Sequence, residues 1–141
     1  MEKVRIITDS SADLSAPYPE NLTILPMTIR FGDEEFLDGQ TITHEEFYRR
    51  LTSGKVMPST SLVPPAAFTA AYDAAAAAGE SVVVLTIASK LSGTYQSAVL
   101  AAQDRENVYV IDSLQATIAL QIQVRYALRL AEEGKTAREI C

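Results

Sequence analysis

Hydroxyl-bearing residues cluster in four short segments of this chain. The densest is SKLSGT, residues 89–94, which directly follows the apolar run SVVVLTIA; the others are TDSSAD at 8–13, STS at 59–61 and Asp-Ser at 112–113. Ser, Thr and Asp are preferred helix N-caps, so capping alone accounts for each segment taken singly. At SKLSGT several hydroxyls stand beside a glycine, which permits close approach of a ligand to the backbone. Helix capping and anion binding therefore both stay open for this turn.

Short apolar runs predict the strands that position these segments. Residues 4–8 predict one strand, and residues 22–31 predict one or two more, interrupted by Pro26. A turn at Gly32-Asp33 then leads into a short return strand. The runs SVVVLTIA and VYVI do not alternate, which is typical of strands buried on both faces of a parallel sheet. The STS segment is expected to lie in a loop.

Helical patterns follow most of these strands. Thr43 and Glu46 have the spacing of a capping box, Pro65 suits the first turn of a second helix, and a third is predicted over Thr94–Gln103. The longest pattern starts near residue 117 and carries an apolar stripe of Leu120, Val124, Ala127, Leu128 and Ala131. This alternation predicts an α/β fold with a mostly parallel sheet and helices on both faces. In such a sheet the ligand crevice lies beyond the carboxyl ends of the strands.

Length and charge narrow the possible functions. The 141 residues suffice for one domain, and the net charge of −6 includes no Lys/Arg cluster, which argues against nucleic acid or an anionic membrane as partner. The chain opens on a strand-like run and has no apolar stretch of about 20 residues, so we expect a cytoplasmic protein without membrane insertion. The lone Cys141 excludes a disulfide framework and a thiolate metal site.

The final residues predict a further helix. Thr136 and Glu139 have the spacing of a second capping box, so a helix opens about one turn before Cys141. Natural domains rarely end in this way. We therefore expect residues 1–141 to be the N-terminal α/β domain of a longer protein.

Five segments, in their order and spacing, resemble the DegV family of bacterial fatty-acid-binding proteins over essentially the whole chain. They are ITDSSADL, FLDGQTITHEEFYRRL, Thr60-Ser61, LSGTYQSA and VIDS. The resemblance implies that residues 1–141 form a DegV-like N-terminal domain, with a second α/β domain after Cys141. It implies a lipid-binding protein without a catalytic centre, cofactor or metal, which presents one long-chain fatty acid to a partner fatty acid kinase.

The resemblance also assigns roles to particular residues. It implies that the fatty-acid carboxylate is held by Thr60, Ser61, Ser92, Gly93 and Thr94, with the tail in an apolar tunnel. The residues expected to shape the crevice beside them are Asp9, Ser10, Asp112 and Ser113. This chain departs from the family pattern at several positions: it reads TSLVP where the family often has TSQPS, and it has Ala88, Ala119 and Gln121 where the family often has Ser, Gly and Gly. An inward-pointing Gln121 would shorten the tunnel or make it polar.

An enzyme using the same loops is the alternative. A serine hydrolase needs a base near its nucleophile, and the single histidine, His44, is far in sequence from Ser92; the G-x-S-x-G pattern is also missing. Metal-assisted phosphoryl chemistry could use Asp9 with Asp112 or Asp13 as Mg²⁺ ligands. Neither dinucleotide-binding nor P-loop glycine patterns occur. A hydrolytic or phosphate-handling enzyme therefore stays open as the second hypothesis.

Overall fold

A computed structural model describes all residues from 1 to 141. The seven strands are β1 Val4–Asp9, β2 Leu22–Leu25, β3 Thr28–Phe31, β4 Glu34–Leu37, β5 Ser59–Ser61, β6 Ser81–Thr86 and β7 Val108–Asp112. The five helices are α1 His44–Thr52, α2 Pro65–Ala77, α3 Thr94–Ala101, α4 Thr117–Glu132 and α5 Ala137–Ile140. One turn of 3-10 helix, Ser10–Ala12, follows β1 directly.

The main sheet has four strands in the order β2-β1-β6-β7, and all of them are parallel. Strand β6 is central, and its residues from Val82 onward are buried, as its unbroken apolar run predicts. Strand β7 is only half-buried, so the prediction of a fully buried strand is wrong there. The reason is its position at the edge of the sheet, where it has one neighbouring strand instead of two.

Helices cover both faces of this sheet, which confirms the predicted fold class. On one face, Ile6 and Val83 pack with a stripe of α4 and with Ala137 of α5; the buried residues of that stripe are Leu120, Val124, Ala127 and Leu128. On the other face, Val82 and Val84 pack with Phe68 and Tyr72 of α2 and with Ala98 of α3. Full burial of each large apolar side chain is worth about 1.5–3 kcal/mol, so these two layers hold the strand ends in place.

A second, antiparallel sheet has the order β4-β3-β5. The predicted turn at Gly32 joins β3 to β4, with Gly32 at a φ of 61°. The STS segment is β5, paired through Thr60 with Ile29, so the prediction of a loop is wrong. Three polar residues carry no apolar periodicity, and the strand forms because β3 offers a free edge. Ile29, Phe31 and Ile42 form a small core between this sheet and α1.

The helix ends follow the predicted caps closely. The Glu46 amide donates to Thr43 Oγ1 (3.2 Å), but the Glu46 carboxylate pairs with Arg49 and Arg50, so only half of the predicted capping box forms there. Helix α2 begins at Pro65, and the capping box of Thr136 and Glu139 is complete. Helix α3 ends at Ala101, two residues earlier than predicted. None of the helices is both long enough and apolar enough to cross a lipid bilayer.

Candidate ligand-binding site

The connection from β6 to α3, residues 87–93, contains the densest hydroxyl cluster; it is called the β6–α3 turn below. Thr94 is fully buried, Ser92 is half-buried and Gly93 is exposed. The Thr94 amide donates to Ser92 Oγ (3.2 Å), and Ser92 Oγ lies 2.9 Å from Thr94 Oγ1. Ser92, one residue before the N-cap Gly93, therefore accepts from the first amide of α3, although the N-cap itself has no side-chain cap.

Capping leaves several donors of this helix end unused. The amides of Gly93, Tyr95 and Gln96 make no hydrogen bond to backbone or side chain within the chain. Unpaired amides at a helix start carry a partial positive charge and suit an anion. No acidic side chain occupies the first turn of α3. The geometry therefore provides an uncharged set of donors at the carboxyl edge of the sheet.

The chain leaving β5 runs directly beside this turn. The buried Val63 amide donates to Thr94 Oγ1 (3.2 Å). Gly93 lies so close to Leu62 that a methyl group added to Gly93 would meet Leu62 Cδ2 at 2.9 Å. Thr60 and Ser61 precede this contact on β5, and both side chains are exposed. The structure thus joins Ser92, Gly93 and Thr94 to the segment that immediately follows Thr60 and Ser61.

Asp9 contacts the β6–α3 turn, whereas Ser10 does not bond to it. Asp9 is fully buried; its Oδ2 accepts from the Ile87 amide (2.7 Å), and its Oδ1 accepts from the Ser11 amide (2.9 Å) and hydroxyl (2.5 Å). Burial raises the pKa of Asp9, and the hydrogen bonds from Ser11 and Ile87 oppose that rise. Ser10 Oγ accepts from the Met27 amide (3.0 Å) in the neighbouring connection.

Asp112 and Ser113 differ in the same respect: only Asp112 hydrogen-bonds to the β6–α3 turn. Asp112 Oδ1 accepts from the amides of Ser89 (3.0 Å) and Leu114 (3.2 Å). Hydrogen bonding from the Ser89 side chain, then from these two amides, lowers the pKa of Asp112. Ser113 Oγ bonds only within its own turn, to the carbonyl and amide of Gln115 (3.2 and 3.1 Å). Asp112 therefore supports the β6–α3 turn directly, and Ser113 does not.

Two of the cavities in the molecule are lined by residues outside the β6–α3 turn. The larger, about 540 Å³, lies beside the start of α1 and is lined by Ser10, Asp13, Asp38 and His44 among others. The smaller, about 220 Å³, includes Asp112, Ser113, Gln123 and Tyr126. Neither is lined by Thr60, Ser61, Ser92, Gly93 or Thr94. Beside the hydroxyl turn, apolar surface comes instead from Leu62 and Leu91, which are 43% and 68% exposed.

Gln121 points to the end of β1. Its Nε2 donates to the carbonyl of Asp13 (2.7 Å) and lies 3.4 Å from that of Ala12. The amide side chain thereby ties α4 to the segment after the 3-10 turn.

The residues suggested for enzymatic chemistry lie in different surroundings. His44 Nε2 is 4.0 Å from Asp13 Oδ1, and both side chains are more than half exposed beside the larger cavity. No hydrogen bond joins His44 to Ser92. Nowhere do three or more His, Cys, Asp or Glu side chains converge in an arrangement that could hold a metal ion. The structure therefore does not place His44 as a base next to Ser92.

Sequence reasoning did not specify that the amides of Tyr95 and Gln96 are the free ones at this site, nor that Leu62 packs against Gly93. The amides could have been inferred from a helix starting at Thr94, because the first turn of any helix leaves its N–H groups unpaired. The position of Leu62 against Gly93 had no local signal.

The parallel sheet, with helices on both faces and a donor-rich turn at its carboxyl edge, defines an α/β domain. The sequence model described as an uncharacterised protein of the DegV family matches residues 3–141. The chain belongs to the DegV family.

Named relatives have about twice the length of this chain. A DegV domain-containing protein from Clostridium perfringens is 37% identical over 144 residues, which is 99% of this chain and 52% of that protein. A solved structure from Eubacterium ventriosum, described as a fatty acid (stearic acid)-binding protein, is 33% identical and superimposes with a TM-score of 0.87. The match covers 99% of this chain and 50% of the Eubacterium chain. A Thermotoga maritima structure, described as revealing a fatty acid binding function, is 34% identical with a TM-score of 0.87, over 99% of this chain and 53% of its own. The chain thus spans about half the length of these relatives.

Proposed function

We propose that this chain holds the head group of a long-chain fatty acid. The carboxylate is bound by Thr60, Ser61, Ser92 and Gly93, and the buried Thr94 completes the site by holding Ser92 and the Val63 backbone. The observation that carries the proposal is the set of unengaged amides at the start of α3, next to the Ser92 hydroxyl. The fatty-acid-binding descriptions of similar structures give independent support.

The donor set suits a carboxylate because it offers hydrogen bonds without a counter-charge. An unpaired charge removed from water costs several kcal/mol or more, so a buried carboxylate needs several donors. The amides of Gly93, Tyr95 and Gln96 and the hydroxyls of Thr60, Ser61 and Ser92 supply them. Lys90 is exposed in the same turn and adds positive charge at its rim.

The acyl tail supplies most of the binding free energy. A C16–C18 acid carries about 15 methylenes, each worth roughly 0.8 kcal/mol when buried. Leu62 and Leu91 begin an apolar wall beside the head-group site, but both are open to solvent. A second α/β domain, in the part of the relatives that this chain does not span, would close the tunnel over the tail.

The bound acid is presented to a partner fatty acid kinase, and this chain contributes no catalytic group. Sequestering the tail while leaving the head group near the molecular surface is the arrangement that such a transfer requires. The exposed Gly93 at the head-group site is consistent with it.

Native mass spectrometry tests the proposal. A two-domain protein containing this chain, purified from bacteria, should carry one fatty acid per molecule, while the 141-residue chain alone should bind lipid weakly. Absence of co-purified acid together with turnover of generic phosphate or ester substrates would favour the enzyme hypothesis instead. Tight stoichiometric binding by the chain alone would contradict the need for a second domain.

A further inference from the structure

Three consecutive backbone amides of the β6–α3 turn donate hydrogen bonds to groups at the ends of the two strands that flank β6. The Ile87 amide donates to Asp9 Oδ2 (2.7 Å) at the end of β1. The Ala88 amide donates to the Gln115 carbonyl (2.8 Å), and the Ser89 amide to Asp112 Oδ1 (3.0 Å), both after or at the end of β7. Since β1 and β7 flank β6, the turn is held by its two neighbours in the sheet.

This arrangement divides the donors of the turn into two groups. The amides of residues 87 to 89 already donate to groups at the ends of the flanking strands, so they are not available to a ligand. The amides of Gly93, Tyr95 and Gln96 are free of partners. A displacement of the first group would move the second, because only residues 90–92 separate them.

We propose that Asp9 and Asp112 are positioning residues for the carboxylate site: they fix the β6–α3 turn so that the free amides and the Ser92 hydroxyl meet one anionic group. This inference rests on the proposed function. Neither carboxylate contacts the ligand; each acts through the backbone of the turn.

The two carboxylates differ in how replaceable they are. Asp9 uses both oxygens as acceptors and is fully buried. An asparagine there would present an NH₂ group to either Ser11 or Ile87, both of which are donors. Asp112 accepts both of its amides on Oδ1 alone, so an asparagine can reproduce both bonds. The structure therefore orders the effects: Asp9→Asn is damaging, Asp112→Ala is damaging, and Asp112→Asn is tolerated.

The test compares two small probes by NMR titration of a two-domain protein that contains this chain. Octanoate carries the carboxylate, and octan-1-ol has the same tail without it. Asp9→Asn and Asp112→Ala should each weaken octanoate binding about tenfold while changing octanol binding less than about twofold, because misplaced donors affect only the carboxylate. Asp112→Asn should bind both probes like the wild type. Asp73→Asn removes a remote exposed carboxylate on α2 and serves as the matched control.

Several outcomes overturn the inference. One is unchanged octanoate affinity in Asp9→Asn. Another is equal loss of both probes with a lowered melting temperature, which identifies a purely structural role. If the wild type binds neither probe, the proposed function fails by itself. The amide resonances of Gly93, Tyr95 and Gln96 still decide the positioning role in that case: displacement in Asp9→Asn but not in Asp112→Asn supports it, and no displacement in Asp9→Asn refutes it.

Discussion

Two helix starts in this molecule face opposite kinds of surroundings. Helix α1 begins beside the cavity of about 540 Å³, which Asp13 and Asp38 line. Its first turn carries Glu45 and Glu46, and Thr43 caps it. Helix α3 begins at the hydroxyl turn, with no acidic residue in its first turn, and none of its residues lines the cavity of about 540 Å³.

The comparison shows that the volume of a cavity and the availability of hydrogen-bond donors are separate properties. At α1 the positive end of the helix is already matched by the chain's own carboxylates, which would repel an anionic ligand. At α3 the amides are left unpaired. On the proposed function, we therefore expect the carboxylate at the start of α3 and not in the larger cavity.

The largest expected effect comes from Thr94→Val, which removes the hydroxyl that links α3 to the exit of β5. The buried Val63 amide then loses its acceptor. We expect the free energy of unfolding to fall by about 1–3 kcal/mol, the cost of a buried unsatisfied donor. Urea denaturation measures it, with Thr94→Ser as the variant that keeps the hydroxyl. Equal stability of Thr94→Val and wild type would show that this hydrogen bond does not hold the two segments together.

Removing one head-group hydroxyl should weaken binding without unfolding the chain. In the two-domain protein, Ser92→Ala and Thr60→Ala should each reduce fatty-acid affinity by about 1–2 kcal/mol, as expected for a lost hydrogen bond to a charged acceptor. Isothermal titration calorimetry is the measurement. Asp38→Asn, in the larger cavity, is the control and should leave affinity unchanged. If both alanine variants bind like wild type while Asp38→Asn changes the affinity, the head group binds in the larger cavity beside α1 and not at the start of α3.

Making α3 resemble α1 should weaken the site by a smaller amount. Gln96→Glu places a carboxylate in the exposed first turn of α3, where it competes for the free amides. Charges near a helix start are worth about 0.3–1 kcal/mol, so we expect octanoate to bind about two- to fivefold more weakly and octan-1-ol to be unaffected. Gln103→Glu, beyond the end of the same helix, is the matched control. Equal weakening by both variants would point to general charge repulsion.

The smallest effect is a pair of opposite pH dependences at the two carboxylates that hold the turn. Asp9 has a raised pKa, so its contribution to stability is largest below the unfolded value of about 3.9 and is lost as the pH rises through the folded pKa. Asp112 has a lowered pKa, so its contribution is present above the unfolded value and is lost as the pH falls through the folded pKa.

Urea unfolding between about pH 3 and pH 7 measures both slopes against variants that cannot titrate. Relative to Asp9→Asn, the wild type should become less stable as the pH rises over this range. Relative to Asp112→Ala, it should become less stable as the pH falls. Slopes of the same sign at both positions would contradict the different surroundings of the two carboxylates.

The features predictable from sequence are those that depend on neighbouring residues. The unbroken run of β6, the caps at Thr43 and Thr136 and the proline start of α2 all act within a strand or a helical turn. Such signals predict the elements, the parallel sheet and the edge at which the hydroxyl clusters lie. Separately, five short segments carried the resemblance that implied roles for Ser92, Gly93 and Thr94.

Contacts between elements that are distant in sequence could be read only from the folded structure. Strand β5 exists because β3 pairs with it about 30 residues away in sequence. Asp9 bonds to Ile87 across 78 residues and Val63 to Thr94 across 31, which no local pattern specifies. The physical reason is that propensity and capping act over a few residues, whereas strand order and the packing of helices on both faces determine which distant groups come within hydrogen-bond distance.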